Sequence, residues 1–123
     1  MTRHSAALII ALVCLPQACA TVHSNPVADR NVAIVIDNRE MDFMRVYLVR
    51  GGTRIPIGEV HGTSRRTFHI PPSMLGADGS LELVGVQLAG RQEVVSEMVL
   101  VKAGQVVSWR LERVSSGMSI SVR

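Results

Sequence analysis

Four small sets of residues have the types that chemistry needs. Asp37, Asn38, Glu40 and Asp42 gather oxygen donors in one short loop, which is the ligand chemistry of calcium. Their spacing does not follow a calcium-loop template, and polar turns use the same residues. Glu59, His61 and His69 could offer zinc a carboxylate and two imidazoles. Strand parity turns Glu59 inward, however, and leaves His61 at a strand end beside Gly62. Ser64, His69 and Asp78 have the types of a hydrolytic triad, but nothing local activates the serine. No G-x-S-x-G elbow, phosphate-binding loop or dinucleotide glycine pattern occurs. The expectation is a protein that is not an enzyme and carries neither metal nor cofactor.

The fourth set is basic. Arg45, Tyr47 and Arg54 share one face of a hairpin, with Arg50 at its tip and Arg65-Arg66 further along the sequence. Guanidinium groups suit phosphate and carboxylate. This face is the candidate surface for a ligand or partner, and an anionic glycan or lipid headgroup would match it. Arginines also keep an exposed sheet face soluble and protect its edge.

The element that positions this face runs from Phe43 to Val60. Gly51 and Gly52 can both take positive φ, as a tight hairpin turn requires. Centring the turn there pairs Arg50 with Thr53, Leu48 with Ile55, Val46 with Ile57 and Met44 with Glu59. Met44, Val46, Leu48, Ile55 and Ile57 then face inward, and Arg45, Tyr47, Val49, Arg54, Pro56 and Gly58 outward. A slip of one residue would mix the faces. Pro56 falls opposite Tyr47, so the second strand should be a sheet edge.

The remainder of the chain reads as further strands. Val32, Ile34 and Ile36 alternate in the first. Arg65 to Ile70 forms another, with Phe68 and Ile70 inward. Ser73 to Gly76 reads as one helical turn capped by Ser73. Ser80 to Ala89 changes phase between Leu83 and Val84, which predicts a bulge near Val84-Gly85. Glu93–Lys102 and Gln105–Glu112 read as a hairpin about Ala103-Gly104, with Val107, Trp109 and Leu111 on one face. Ser115-Ser116-Gly117 reads as a turn before a last strand, Met118 to Val122. Regular turn signals between about 7–8 short strands predict an all-β antiparallel β-sandwich or, alternatively, a small closed β-barrel.

The N-terminus reads as delivery. Arg3 and His4 precede an apolar run, Ala6 to Leu15, shorter than the roughly 20 residues of a spanning helix. Two cleavages fit. Ala18-Cys19-Ala20 suits ordinary signal peptidase and would release a chain starting at Thr21. Leu15-Pro16-Gln17-Ala18-Cys19 resembles a bacterial lipobox, which would make Cys19 the lipidated first residue. Pro16 departs from that motif, which wants an aliphatic residue there. Ala20, rather than aspartate, follows the cysteine, and this resembles outer-membrane sorting. The expected organisation is a signal segment over 1–19, a tether over 20–30 and one domain over 31–123. Cys14 and Cys19 are the only cysteines, so the mature domain has no disulfide or thiolate site. Loss of Arg3 lowers the formal charge from +3 to about +2, too little for strong steering.

The signal-plus-cysteine start and the stretch Val99-Leu100-Val101-Lys102-Ala103-Gly104-Gln105-Val106-Val107 resemble small exported bacterial β-sandwich proteins, often lipoproteins. The latter stretch looks like those of transthyretin-like and immunoglobulin-like accessory domains. The resemblance implies a fold and transfers no functional residue. A strand pattern without a catalytic constellation, behind an export signal, leads to the expectation of a non-enzymatic cell-envelope protein, in the outer membrane or periplasm or else secreted, acting as a structural or protein-interaction module. Nucleic acid is not an expected partner.

Overall fold

The computed structural model describes residues 30–90, 92–112 and 119–123. The signal segment, Cys19, the tether up to residue 29, Arg91, the Ser115–Gly117 turn and Met118 lie outside them.

Among the described residues there are nine strands: β1 (Val32–Asn38), β2 (Met44–Arg50), β3 (Thr53–Val60), β4 (Arg65–Ile70), β5 (Ser80–Gln87), β6 (Glu93–Val95), β7 (Val99–Leu100), β8 (Val106–Leu111) and β9 (Ser119–Val122). They form a four-stranded sheet, β4-β1-β8-β9, and a five-stranded sheet, β3-β2-β5-β6, with β7 also on β5. No ladder joins the two sheets among the described residues, so the closed barrel is not formed.

Alternating side chains from both sheets build one core. Val32, Ile34 and Ile36 of β1 and Val107, Trp109 and Leu111 of β8 come from one side. Met44, Val46 and Leu48 of β2 and Leu81 and Leu83 of β5 come from the other. Burying each large aliphatic stabilises the fold by about 1.5–3 kcal/mol before entropy is counted. Gly85 faces this core, and a Cβ there would come within 3.0 Å of Met44 Cε and 3.5 Å of the Trp109 ring. The missing side chain leaves room for the Met44 tip beside the indole. Trp109 Nε1 is buried and has no hydrogen-bond partner among the described residues.

The hairpin register holds next to the turn and fails beyond it. Leu48 pairs with Ile55 and Tyr47 with Pro56, and β3 is a sheet edge as Pro56 implied. The ladder then shifts, so that Val46 meets Gly58, Arg45 meets Glu59 and Met44 meets Val60. The extra residue is a bulge. Gly58 has φ 153°, and a Cβ on it would enter the space of the Phe68 ring. The bulge therefore turns Glu59 outward, and Val60 takes the inward position expected for Glu59.

Two further expectations are corrected. Beside β2 the register of β5 is unbroken from Gln87 to Glu82, so no bulge lies at Val84-Gly85. Val84 is instead buried on the outer face, between Tyr47 on β2 and Val95 on β6, because β5 has neighbours on both sides. The helical turn is 3-10, Pro72–Met74, with Pro71 at its N-cap and no side-chain cap from Ser73.

The largest correction concerns the stretch around Ala103-Gly104. β7 pairs with β5 in one sheet, whereas β8 pairs with β1 in the other. The turn, with Gly104 at φ 82°, carries the chain between sheets instead of closing a hairpin. An arch and a hairpin need the same alternation and the same turn residues; distant partners, Ser80 and Ala33, decide between them. The β1–β8 ladder is parallel, so the fold is not purely antiparallel. The crossover that parallel neighbours require is supplied here by the strands of the other sheet.

Candidate functional site

The outward face of β2 and β3 holds Arg45, Tyr47 and Arg54, as parity required. Each arginine has a glutamate. Arg45 donates from Nε at 3.0 Å and Nη2 at 2.7 Å to Glu59 Oε1. Arg54 donates from Nη1 at 3.0 Å to Glu93 Oε2 and from Nη2 to Oε1. These are charge-assisted contacts, the second a two-point fork. The Glu59 carboxylate, then the Tyr47 hydroxyl, raises the Arg45 pKa above its ordinary value, and the Glu93 carboxylate does the same for Arg54. Tyr47 stands half-buried between Pro56 and Val84. The face is thus charge-paired within itself. The glutamates that pair it were legible in neither case: Glu59 needed the bulge, and Glu93 needed β6 on the far side of β5.

The remaining arginines of that group are dispersed. Arg50 Nη1 donates to the Ser73 carbonyl at 2.9 Å. Arg66 lies over the Phe68 ring, 5.0 Å from its centroid, and donates to the Glu59 carbonyl at 2.8 Å, bridging β4 to β3 of the other sheet. Arg65 faces the opposite way.

The loop after β1 is organised by Asn38, which is fully buried. Its Nδ2 donates to the carbonyls of Asp42 at 2.9 Å and His61 at 3.0 Å, with Val60 at 3.4 Å, and its Oδ1 accepts from Glu40 N at 3.0 Å. That side chain is spent on the backbone of two loops. Glu59, His61 and His69 are not brought together. Glu59 holds Arg45, the His61 ring packs on Phe43 with centroids 4.4 Å apart, and His69 stands opposite Ala33 on β4. Ser64 Oγ donates to the His61 carbonyl and Asp78 Oδ1 accepts from Ser80 N. Among the described residues no group of three or more His, Cys, Asp or Glu is placed to hold a metal ion.

The structure shows a constellation that the sequence did not. Asp37 lies on the outer face of the four-stranded sheet, opposite Arg65 on β4 and Arg110 on β8. Its Oδ2 takes Arg39 at 2.9 Å and Arg65 at 3.2 Å, with Arg110 Nε at 3.8 Å. Burial alone would push this carboxyl up, but the Arg65 and Arg39 hydrogen bonds and charges outweigh it and hold it below the ordinary range. Beside it the sheet surface dips into a concavity of about 220 Å3, lined by Arg65, Arg110 and Arg123 and by Ser108, Ser119 and Ser121. The dip falls where small side chains stand in register, Val35 opposite Ser108 across β1 and β8, with Ser121 next on β9. The polar parity of these strands is readable in sequence; that they converge follows only from the β1–β8 and β8–β9 registers.

No helix among the described residues is long and apolar enough to cross a membrane. The chain is a small all-β protein of two sheets. A scan against protein-family models finds no match, and a search of curated proteins finds none.

Proposed function

We propose that this is an exported, non-enzymatic β-sandwich module, immunoglobulin-like or transthyretin-like, that works at the cell envelope by contact with another protein. The observation that carries the reading is the β6–β7 edge of the five-stranded sheet, which pairs with no further strand among the described residues. β6 and β7 both pair with β5, but the register moves by one residue between Val95↔Val84 and Leu81↔Val99. They are two halves of one edge strand, interrupted at 96–98. Ser96 holds the break: its N donates to the Leu83 carbonyl at 2.8 Å and its Oγ accepts from Leu83 N at 2.9 Å. Along this edge Val95, Met98 and Leu100 are 43%, 64% and 68% exposed. Large apolar side chains beside unpaired strand backbone suit strand addition by a partner.

The Arg45, Tyr47 and Arg54 face takes second place, because an anionic glycan or lipid headgroup there would have to displace Glu59 and Glu93. Export rests on the segment Ala6 to Leu15 with Cys19. Mass spectrometry of the mature N-terminus tests it: lipidated Cys19 gives the tethered form, free Thr21 the soluble one, and retained Met1 overturns export. Photo-crosslinking from position 98 or 100 in intact cells tests the contact. A discrete adduct lost on Leu100→Asp is expected. Absence of any adduct from either position, with the purified chain monomeric, would overturn the reading.

A further inference from the structure

We propose that the concavity on the outer face of the four-stranded sheet is a binding site for an oxyanion, a phosphate or carboxylate group, on a ligand that also presents hydroxyls. The contrast with the other sheet carries the inference. Arg45 and Arg54 each spend two donors on a glutamate. Arg110 does not: its contacts to Asp37 and Glu112 are 3.8 and 3.7 Å, both from Nε and both beyond hydrogen-bond reach. Neither of its Nη groups is engaged by a described residue. Arg123 forms no ion pair through its side chain among the described residues, and it lines the same concavity. Asp37 is the one acidic side chain among the described lining residues, and it is already shared by Arg39 and Arg65.

Positive charge therefore exceeds negative charge at a concave surface, with planar guanidinium forks that fit two oxygens at once. Serine hydroxyls from two strands complete the lining. Ser108 and Ser121 are direct cross-strand partners, and Ser119 pairs with Arg110, so hydroxyls and guanidinium stand in adjacent rows of one sheet. A hydroxyl can donate to an oxyanion or accept from a ligand hydroxyl, which is why a hydroxylated ligand fits better than a bare ion. The site is independent of the β6–β7 edge and stands or falls separately from it.

The test is titration of the full chain with inorganic phosphate, and separately with phosphatidylglycerol vesicles against phosphatidylcholine vesicles. Calorimetry should show saturable binding of phosphate or of the anionic vesicles. Arg110→Gln and Arg123→Gln should each weaken it at least tenfold with the melting temperature kept, while Arg45→Gln leaves it unchanged. Phosphate binding assigns a soluble ligand, and binding of the vesicles alone a lipid headgroup; both support the site. Should Arg110→Gln fail to fold, Arg123→Gln decides. No saturable binding of either probe, or binding unchanged in the two variants, overturns the proposal.

Discussion

Glu59 meets Arg45 across the β2–β3 ladder, and it does so only because one extra residue at the bulge reverses the parity of β3. Without the bulge Glu59 would enter the core and Val60 would face solvent. The local geometry thus turns a buried-charge problem into an exposed ion pair, and the glycine at φ 153° permits it.

Gly58→Ala is accordingly expected to destabilise the protein by about 2–3 kcal/mol, from backbone strain and overpacking against Phe68. Urea unfolding measures it. The Gly58→Ala, Phe68→Leu double variant should recover part of the loss, since the shorter side chain vacates the ring's space.

Asn38→Ala should cost about 3 kcal/mol, because it removes the donors to the Asp42 and His61 carbonyls and the acceptor for Glu40 N together. Amide hydrogen exchange should rise at Glu40 and across the 61–64 turn before it rises in β8.

Asp37 governs part of the acid response. Its folded pKa lies below the ordinary 3.8, so its contribution is present above that value and is lost as pH falls through the lower folded value. Thermal melts of the unaltered chain should therefore decline below about pH 4. Asp37→Asn should flatten this decline, and at pH 7 it should cost about 1–2 kcal/mol by leaving Arg39 and Arg65 without their shared acceptor.

Ser96→Ala removes the acceptor of Leu83 N from a buried position of the β5 edge. A loss of about 1–2 kcal/mol is expected. Limited proteolysis should show earliest cleavage at 96–98 in this variant.

The legible parts of the fold were those set by neighbours in sequence. The Gly51-Gly52 turn fixed Leu48 against Ile55, and period-two alternation placed Val107, Trp109 and Leu111 inside. A strand glycine such as Gly58 can mark a bulge, but it does not by itself fix a register shift, and the Phe68 ring that excludes a side chain there lies on another strand. What stayed hidden depended on distant pairing. Val101 and Val106 flank a turn that would serve a hairpin equally well, and only Ala33 and Ser80 separate the two outcomes. The same holds for function. Arg45, Tyr47 and Arg54 could be grouped from one hairpin, whereas Asp37, Arg65 and Arg110 meet only once three strands are in register.

The parallel ladder between β1 and β8 also sets a timetable. Ala33 and Val106 stand far apart in sequence, so their pairing closes a long loop, whereas β4 lies nearer along the chain to the opposite side of β1. Closing so long a loop is an entropic cost that only the finished core offsets. A chain threaded N-terminus first through a narrow conduit would arrive with its leading strand still half-partnered, and would become difficult to pull back only when its tail had come through.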